Sequence, residues 1–277
     1  MVLAMKIKKG KFRAKLIASC FIALGCVIGI GFSGYKIIEW LIDSNNTKEQ
    51  AATIEEAAEV VEIEDNENTE IIPTEEETDL YHKYISMKLL DIDFGELTAI
   101  NHETAGWISL SGTDINYPFV QTTNNDYYLK HSFDRSYNSA GWVFADFRNK
   151  LDGSDRNMIL YAHGRYDGTM FGTLRNILKN NWLKNPENFT VRTVTAKETA
   201  SWQVFSVYRI PTTSDYIQTG FKDDTEFMNL INKIKGRSAH DFNTTVSATD
   251  HILTLSTCYS STERVVLHAK LIKRAAR

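Results

Sequence analysis

The sequence predicts a mostly β domain with peripheral helices, placed behind a membrane-spanning helix. Short runs of β-branched and aromatic residues, separated by Gly, Pro, Asn and Asp, recur between residues 106 and 271. This texture is typical of a barrel or a sandwich. Two segments with apolar residues at helical spacing, residues 171–183 and 223–235, interrupt the strands. A chain of 277 residues is long enough for one such domain with appendages.

The N-terminal end combines a basic cluster with a long apolar run. Residues 1–15 contain six Lys or Arg side chains, and residues 16–35 carry no charge, which is long enough to cross a bilayer as a helix. Basic residues before the run and acidic ones after it predict a cytoplasmic N-terminus and an extracellular remainder. We interpret residues 16–42 as a signal anchor. A cleaved signal peptide is the alternative, because Ser33 and Gly34 are small residues near the end of the run.

An acidic segment follows the apolar run. Residues 43–79 contain fourteen acidic side chains and one lysine, Lys48. This composition predicts a disordered, solvated spacer, with a short coiled stalk over residues 51–61 as the alternative. The folded domain is then expected to span residues 80–277. The net charge of the chain is −4, which argues against general affinity for nucleic acid.

The elements of the domain are expected in a definite order. A helix over residues 81–93 opens it, with Leu89, Ile92 and Leu97 facing the core. The late helix over residues 223–235 carries apolar side chains at core spacing. Strands are expected at residues 107–110, 115–121, 125–130, 141–144, 157–162, 190–194, 201–210, 252–258 and 264–271.

The last two predicted strands bring a thiol and a guanidinium together. Cys258 ends one run, five residues follow, and Arg264 opens the next run. If the strands pair directly, the two residues are cross-strand neighbours, about 5 Å apart at Cβ. A thiolate that attacks a carbonyl and a cation that holds the oxyanion suit acyl transfer. The alternative is that Cys258 is an inert, buried small side chain.

The same chemistry needs a base, and His163 is the first candidate. It follows the apolar run that ends at Ala162 and precedes Gly164, so a strand holds it while its ring stays in a loop. The rival candidates are His268, His131 and His251.

Several motifs resemble those of one family. The segment Leu255-Ser256-Thr257-Cys258, followed by Arg264, resembles the Thr-Leu-x-Thr-Cys and arginine signature of sortases, which are membrane-anchored cysteine transpeptidases of Gram-positive bacteria. Residues 106–118, 125–129, 144–149 and 167–172 resemble the class B branch. The resemblance covers about residues 80–273. It implies a closed eight-stranded β-barrel with an N-terminal helical extension and a helix before the cysteine strand.

The resemblance also implies roles and partners. Cys258 would be the nucleophile, His163 the acid and base, and Arg264 the oxyanion ligand. The substrates would be surface proteins with C-terminal sorting signals, cleaved after threonine and transferred to an amine of a lipid-linked peptidoglycan precursor or of a pilin. The implied substrate groove is lined by Asn125, Leu129, Tyr161, Ser256, Thr257, Tyr216 and Ile217.

Three features depart from the family pattern. Ala162 stands where relatives have glycine before the histidine, and Tyr259 follows the cysteine where several relatives have an acidic or small residue. The loop of five residues between Cys258 and Arg264 is shorter than in many relatives. We expect substrate preference to differ accordingly.

No motif in the sequence predicts a metal or cofactor site, so none is expected. Two other functions fit the same residues. One is an exported cysteine hydrolase that uses water as the acceptor, and the other is a non-enzymatic surface binding module.

Overall fold

The computed structural model describes residues 2–74 and 78–277, with side chains described from residue 19 onward. The side chains of the basic cluster at residues 1–15 and all of residues 75–77 in the acidic segment lie outside the described part. The chain divides into two compact units, and the boundary lies between Asn45 and Asn46. The first contains most of the helix α1 (Val2–Ala57), and the second contains everything from Asn46 to Arg277.

The apolar part of α1 fits a membrane anchor. Among the described residues, one helix is long and apolar enough to cross a bilayer, and it is this one, from Ser19 onward. Its large apolar side chains, such as Phe21 and Phe32, are exposed in the structure.

Eight strands close into a barrel in the second unit, which confirms the predicted fold class. The barrel strands are β4 (Thr104–Leu110), β5 (Asn116–Val120), β6 (Phe144–Ala145), β7 (Asn157–Tyr161), β8 (Thr190–Thr195), β9 (Glu198–Pro211), β10 (Ile252–Cys258) and β11 (Glu263–Ala276). Around the barrel the order is β7, β6, β5, β4, β8, β9, β11 and β10, and the pairing of β10 with β7 closes it. Three short strands precede or flank the barrel: β1 (Val61–Ile63), β2 (Thr69–Ile71) and β3 (Leu89–Asp91).

Helices lie around the barrel. The helix before the cysteine strand is α5 (Asp224–Gly236), and its four predicted core residues are buried: Phe227, Leu230, Ile231 and Ile234. Asp223 caps it, because its side chain accepts a hydrogen bond from the Glu226 backbone N–H. The remaining helices are α2 (Asp79–Ile85), α3 (Phe94–Ile100) and α4 (Asn180–Leu183).

Three expected elements differ in type. The helix expected over residues 81–93 is α2 followed by β3, because Leu89 and Leu90 pair with β1, a partner strand that the sequence did not predict. The strand expected at residues 125–130 is a 3₁₀ turn over Tyr127–Leu129. There the side chain of Asn124 accepts hydrogen bonds from the backbone N–H groups of Asp126 and Tyr127 and bends the chain. The helix expected over residues 171–183 is a 3₁₀ stretch followed by α4.

The acidic segment also differs from the expected spacer. Its described part is largely ordered, with α1 running to Ala57, β1 paired with β3 and β2 paired with β11. Ile54 and Ala58 are buried in the main core. The acidic side chains meet basic partners on the barrel, in the pairs Glu62–Arg192, Asp65–Lys273 and Glu70–Arg274, at 2.7, 2.8 and 2.7 Å. The composition of the acidic segment does not predict these ion pairs, because the basic partners lie at least 130 residues later in the chain.

Lys273 provides a test of this attachment. Its side chain is fully buried, and its ammonium group donates to Asp65 and to the Met87 carbonyl oxygen. Asp65→Asn leaves that buried charge with neutral acceptors only, and we expect the free energy of unfolding to fall by about 1–3 kcal/mol in urea denaturation.

The neighbouring Glu64 supplies the control. Glu64 pairs with Lys88, and both side chains are exposed. Glu64→Gln should therefore change the free energy of unfolding by less than about 0.5 kcal/mol. Equal effects of the two substitutions would contradict the proposed attachment.

Candidate active site

The ends of two parallel strands define the site. β10 pairs in parallel with β7, with Ser256 opposite Tyr161, so the residues that follow both strands emerge at the same edge of the barrel. Continuing that register by two residues brings Cys258 level with His163. The Thr257 hydroxyl donates to the Ala162 carbonyl oxygen at 2.7 Å and ties the two chains together just before this point.

Arg264 joins the site from the third strand. In the antiparallel pair of β10 and β11, Cys258 lies directly opposite Arg264, which confirms the direct pairing predicted from the sequence. The loop between them is closed by hydrogen bonds from the backbone N–H groups of Tyr259 and Ser260 to the Glu263 carbonyl oxygen. His163, Cys258 and Arg264 therefore lie at the same end of three adjacent strands.

A backbone carbonyl group orients the ring of His163. Nε2 lies 2.8 Å from the Leu129 carbonyl oxygen. Because a carbonyl oxygen only accepts, Nε2 must carry a hydrogen, and the neutral ring keeps its lone pair on Nδ1. Nδ1 makes no hydrogen bond to any described residue. The ring is thus held at one nitrogen and has the other available to exchange protons.

A glycine allows the histidine loop to approach the cysteine. A methyl group on Gly164 would overlap the Cys258 carbonyl oxygen and would lie 2.9 Å from the Thr257 hydroxyl oxygen. Arg175 bridges the same two segments, with Nη2 2.6 Å from the Gly164 carbonyl oxygen and 3.4 Å from that of Cys258. The spacing between the two segments is therefore set by direct backbone contact.

Tyr259 packs between two guanidinium groups. Its ring centroid lies 5.4 Å from the guanidinium carbon of Arg175 and 4.2 Å from that of Arg209. Arg209 also pairs with Glu263 at 2.8 Å. Cation–π contacts of this kind stabilise a loop at the protein surface. Tyr259, which departs from the family pattern, thus packs within the short loop between Cys258 and Arg264.

The three residues open into one groove of about 670 Å³. All ten site residues inferred from the sequence line it. It also includes residues to which the sequence assigned no role. The lining comprises Cys258, His163, Arg264, Asn125, Leu129, Tyr161, Ser256, Thr257, Tyr216 and Ile217, together with Phe144, Ala162, Thr212, Thr213 and Ser214.

The additional lining residues left only weak traces in the sequence. Phe144 opens one of the segments that resemble class B sortases, and Thr212, Thr213 and Ser214 form a polar run after the long strand β9. A polar run after a strand predicts a loop, but it does not say which site the loop covers. Their place in the groove follows from barrel closure, which sets the β9–α5 loop beside β7 and β10.

The rival histidines lie away from the groove. His131 bonds the Tyr127 carbonyl oxygen through Nδ1, and His251 bonds that of Asp155. His268 is fully buried, with Nε2 2.8 Å from the Tyr208 hydroxyl and Nδ1 2.9 Å from the Thr254 hydroxyl. Burial, with a smaller contribution from Arg237, lowers the pKa of His268 to about 3. It is therefore neutral at physiological pH and has both ring nitrogens engaged.

The described residues contain no candidate metal site. Nowhere among them do three or more His, Cys, Asp or Glu side chains form a group that could hold a metal ion. Cys20, Cys26 and Cys258 are free thiols.

The Gly164 contact predicts a stability effect. Gly164→Ala forces the histidine loop away from the Cys258 backbone, and overpacking of this kind costs about 1–3 kcal/mol. We expect that loss in the free energy of unfolding. Gly220→Ala is the matched control, since a methyl group there meets no atom within 4 Å. Wild-type stability for Gly164→Ala would show that the segments are not in contact.

His268 predicts a pH dependence. Its pKa is about 3 in the folded chain, against an ordinary value of 6.5, so the unfolded chain takes up a proton that the folded chain does not. The stability it contributes is complete above about pH 6.5 and declines as the pH falls toward 3. Between pH 7 and pH 5 this loss is about 2 kcal/mol.

His268→Gln removes the titrating group, so the free energy of unfolding should depend less on pH by that amount. Identical pH profiles for the wild type and His268→Gln would contradict the assignment.

Comparisons with known proteins agree with this geometry. The sortase domain family matches residues 108–272. Sortase B of Staphylococcus aureus is 38% identical over 184 residues, which cover 65% of this chain and 75% of that protein. Sortase B of Listeria monocytogenes is 35% identical, covering 65% and 74%. The crystal structure of Bacillus anthracis sortase B in complex with AAEK1 superposes with a TM-score of 0.68, at 33% identity, over 84% of this chain and 99% of that one.

Family, fold and relatives converge on one class of enzyme. The match covers more than half of the chain, and the closed eight-stranded barrel is the fold that the resemblance implied. The chain therefore belongs to the sortase family, as a class B sortase, and is a cysteine transpeptidase.

Proposed function

We propose that the chain cleaves a C-terminal sorting signal after threonine and transfers the acyl group, through a thioester on Cys258, to an amine at the outer membrane surface. One observation carries the proposal: His163, Cys258 and Arg264 lie side by side at the ends of three adjacent strands and line one open groove. The other groove residues would bind the signal.

The first half-reaction breaks the amide bond. The Cys258 thiolate attacks the threonine carbonyl carbon, and the carbonyl oxygen becomes an oxyanion beside Arg264. The Arg264 guanidinium donates from Nη1 to the Glu263 carbonyl oxygen, and its other N–H donors remain for the substrate. Nδ1 of the protonated His163 ring gives its proton to the leaving amine. The C–N bond breaks and the thioester remains.

The second half-reaction forms the new bond. An incoming amine attacks the thioester carbonyl carbon, and the neutral Nδ1 of His163 takes the proton that the amine loses. The C–S bond then breaks and Cys258 leaves as the thiolate. One amide exchange is thereby divided into two steps that use the same three side chains.

Solved relatives support this choice of ligands. One similar structure is a Staphylococcus aureus sortase B–substrate complex, and another is sortase B complexed with triglycine. By analogy, we propose that this chain binds the sorting signal of a surface protein and an amine from a lipid-linked cell-wall precursor or a pilin. Which sorting signal the chain recognises and which amine it uses as the acceptor would distinguish it from other class B sortases.

The proposed location follows from the order of the segments. Residues 1–15 would be cytoplasmic, residues 16–42 would span the membrane once, and the catalytic unit would lie outside. Sorting signals and lipid-linked precursors both reach that surface. In the structure the compact unit already begins at Asn46, so we place less of the chain in a free spacer than the acidic composition suggested.

A trapped intermediate tests the mechanism. In a Cys20→Ser/Cys26→Ser background, only Cys258 can react, so a peptide library of the Pro-x-Thr type should yield a thioester on Cys258 by mass spectrometry. On intact cells, a membrane-impermeant maleimide should label the same residue. Cys258→Ala should give neither product.

The other two residues have separate expectations. His163→Gln should lower kcat by about 10²–10⁴, and Arg264→Lys by up to about 10²–10³, because they remove proton transfer and the planar oxyanion contact respectively. Product that depends on added triglycine or diaminopimelate identifies a transpeptidase. Free acid as the sole product under these conditions would contradict transfer to either amine, and an absence of any thioester would contradict the proposed intermediate on Cys258.

A further inference from the structure

We propose that Asp146 and Arg148, an ion pair behind the groove, are positioning residues that set its affinity for the sorting signal. This inference rests on the proposed function and deepens it. Neither side chain lines the groove, yet together they hold three of its walls in place.

Two walls meet at the Asp146 carboxylate. Its Oδ2 accepts from Asn125 Nδ2 at 3.0 Å and from the Tyr161 hydroxyl at 2.9 Å. Asn125 comes from the loop just before the 3₁₀ turn and Tyr161 from β7. The Asp146 side chain is fully buried, so no water competes for these bonds.

Arg148 neutralises the carboxylate and reaches the third wall. Its Nε donates to Oδ1 at 2.8 Å and its Nη2 to Oδ2 at 2.7 Å, a bidentate pair. Nη2 also lies 3.3 Å from the carbonyl oxygen of Ile217, in the β9–α5 loop. One ion pair thus links three segments that are remote in sequence.

The hydrogen bonds to Asp146 determine which polar atoms of Asn125 and Tyr161 are left to bind the sorting signal. Asn125 Oδ1 accepts from the Phe147 backbone N–H at 3.0 Å, and Nδ2 donates to Asp146, so the orientation of the amide is unambiguous. One Nδ2 hydrogen of Asn125 is left over. Tyr161 donates its only hydroxyl hydrogen to Asp146 and keeps an oxygen lone pair. The wall therefore offers a donor beside an acceptor, the complement of a peptide unit or a carboxamide.

Electrostatics keep this arrangement stable at neutral pH. Burial by itself would raise the pKa of Asp146, but the hydrogen bonds from Arg148 and Tyr161 hold it below its ordinary value. Burial and the charge of Asp146 both raise the pKa of Tyr161. Asp146 therefore stays ionised and Tyr161 stays protonated.

Position and chemistry separate this role from catalysis. The network contains no bond to Cys258, His163 or Arg264. Its loss should therefore weaken binding of the signal while sparing the reacting groups. A merely structural role would lower stability and turnover together.

Peptide cleavage by the full chain, in the Cys20→Ser/Cys26→Ser background, tests the inference. Asp146→Asn should raise KM about tenfold, the effect of losing hydrogen bonds to a charged group, with kcat changed less than about threefold. The rate at which iodoacetamide alkylates Cys258 should stay at the wild-type value. Glu187→Gln, which breaks an exposed ion pair with Lys83, is the control and should leave KM unchanged.

Two further variants keep the inference testable if Asp146→Asn fails to fold by circular dichroism. Arg148→Lys keeps the charge and loses the bidentate fork, and Tyr161→Phe loses one hydroxyl; both should raise KM. In an Asn125→Ala background, Asp146→Asn should raise KM by a smaller factor than in the wild type, because Asp146 acts through Asn125.

The outcomes distinguish the two proposals. A wild-type chain that cleaves no peptide of the library overturns the proposed function and this inference with it. Cleavage by the wild type with unchanged KM in all three variants overturns only the positioning role. A parallel loss of kcat and of alkylation rate would assign the pair to general stability instead.

Discussion

The parallel pairing of β7 with β10 is the constraint on which the site depends. Parallel neighbours end at the same edge of a sheet, so the residues that follow β7 and the last residue of β10 must meet there. The Thr257 hydroxyl and the glycine at position 164 then fix how closely they meet. β11 adds Arg264 through the short connection of the barrel's final hairpin. The three residues proposed to react thus lie at or just after strand ends, and the loops line the groove around them.

Buried charge is used in this structure to join distant segments. Lys273 with Asp65 attaches the N-terminal extension to the last strand, and Asp146 with Arg148 ties three groove walls together. In both pairs one partner is fully buried, so removing the other leaves a charge that water cannot reach. In the groove, the positioning role proposed for Asp146 and Arg148 is to orient the uncharged donor of Asn125 and the acceptor of Tyr161 toward the sorting signal.

Local patterns in the sequence were sufficient for much of the fold and for the pairing of Cys258 with Arg264. The pairing of Cys258 with Arg264 follows from two apolar runs and a five-residue gap, and α5 follows from its 3.6-residue period. The prediction was wrong where a distant partner overrode local preference. Leu89 and Leu90 became a strand because β1 lies beside them. The strand expected at residues 125–130 was wrong for a local reason, because the side chain of Asn124 accepts hydrogen bonds there and the chain forms a 3₁₀ turn.

The sequence by itself predicted the apolar helix, the β-rich domain and the pairing of Cys258 with Arg264, because these depend on composition, periodicity and short-range spacing. The choice of His163 among four candidate histidines came from the resemblance to sortases. Only the tertiary structure decided that these three residues share one groove, that His163 is held through Nε2, and that much of the acidic segment folds against the barrel. It also brought Asp146 and Arg148 behind Asn125, Tyr161 and Ile217. Those relations join residues far apart in the chain, 208 positions in the case of Asp65 and Lys273. They arise from barrel closure and charge complementarity, which no local window of sequence contains.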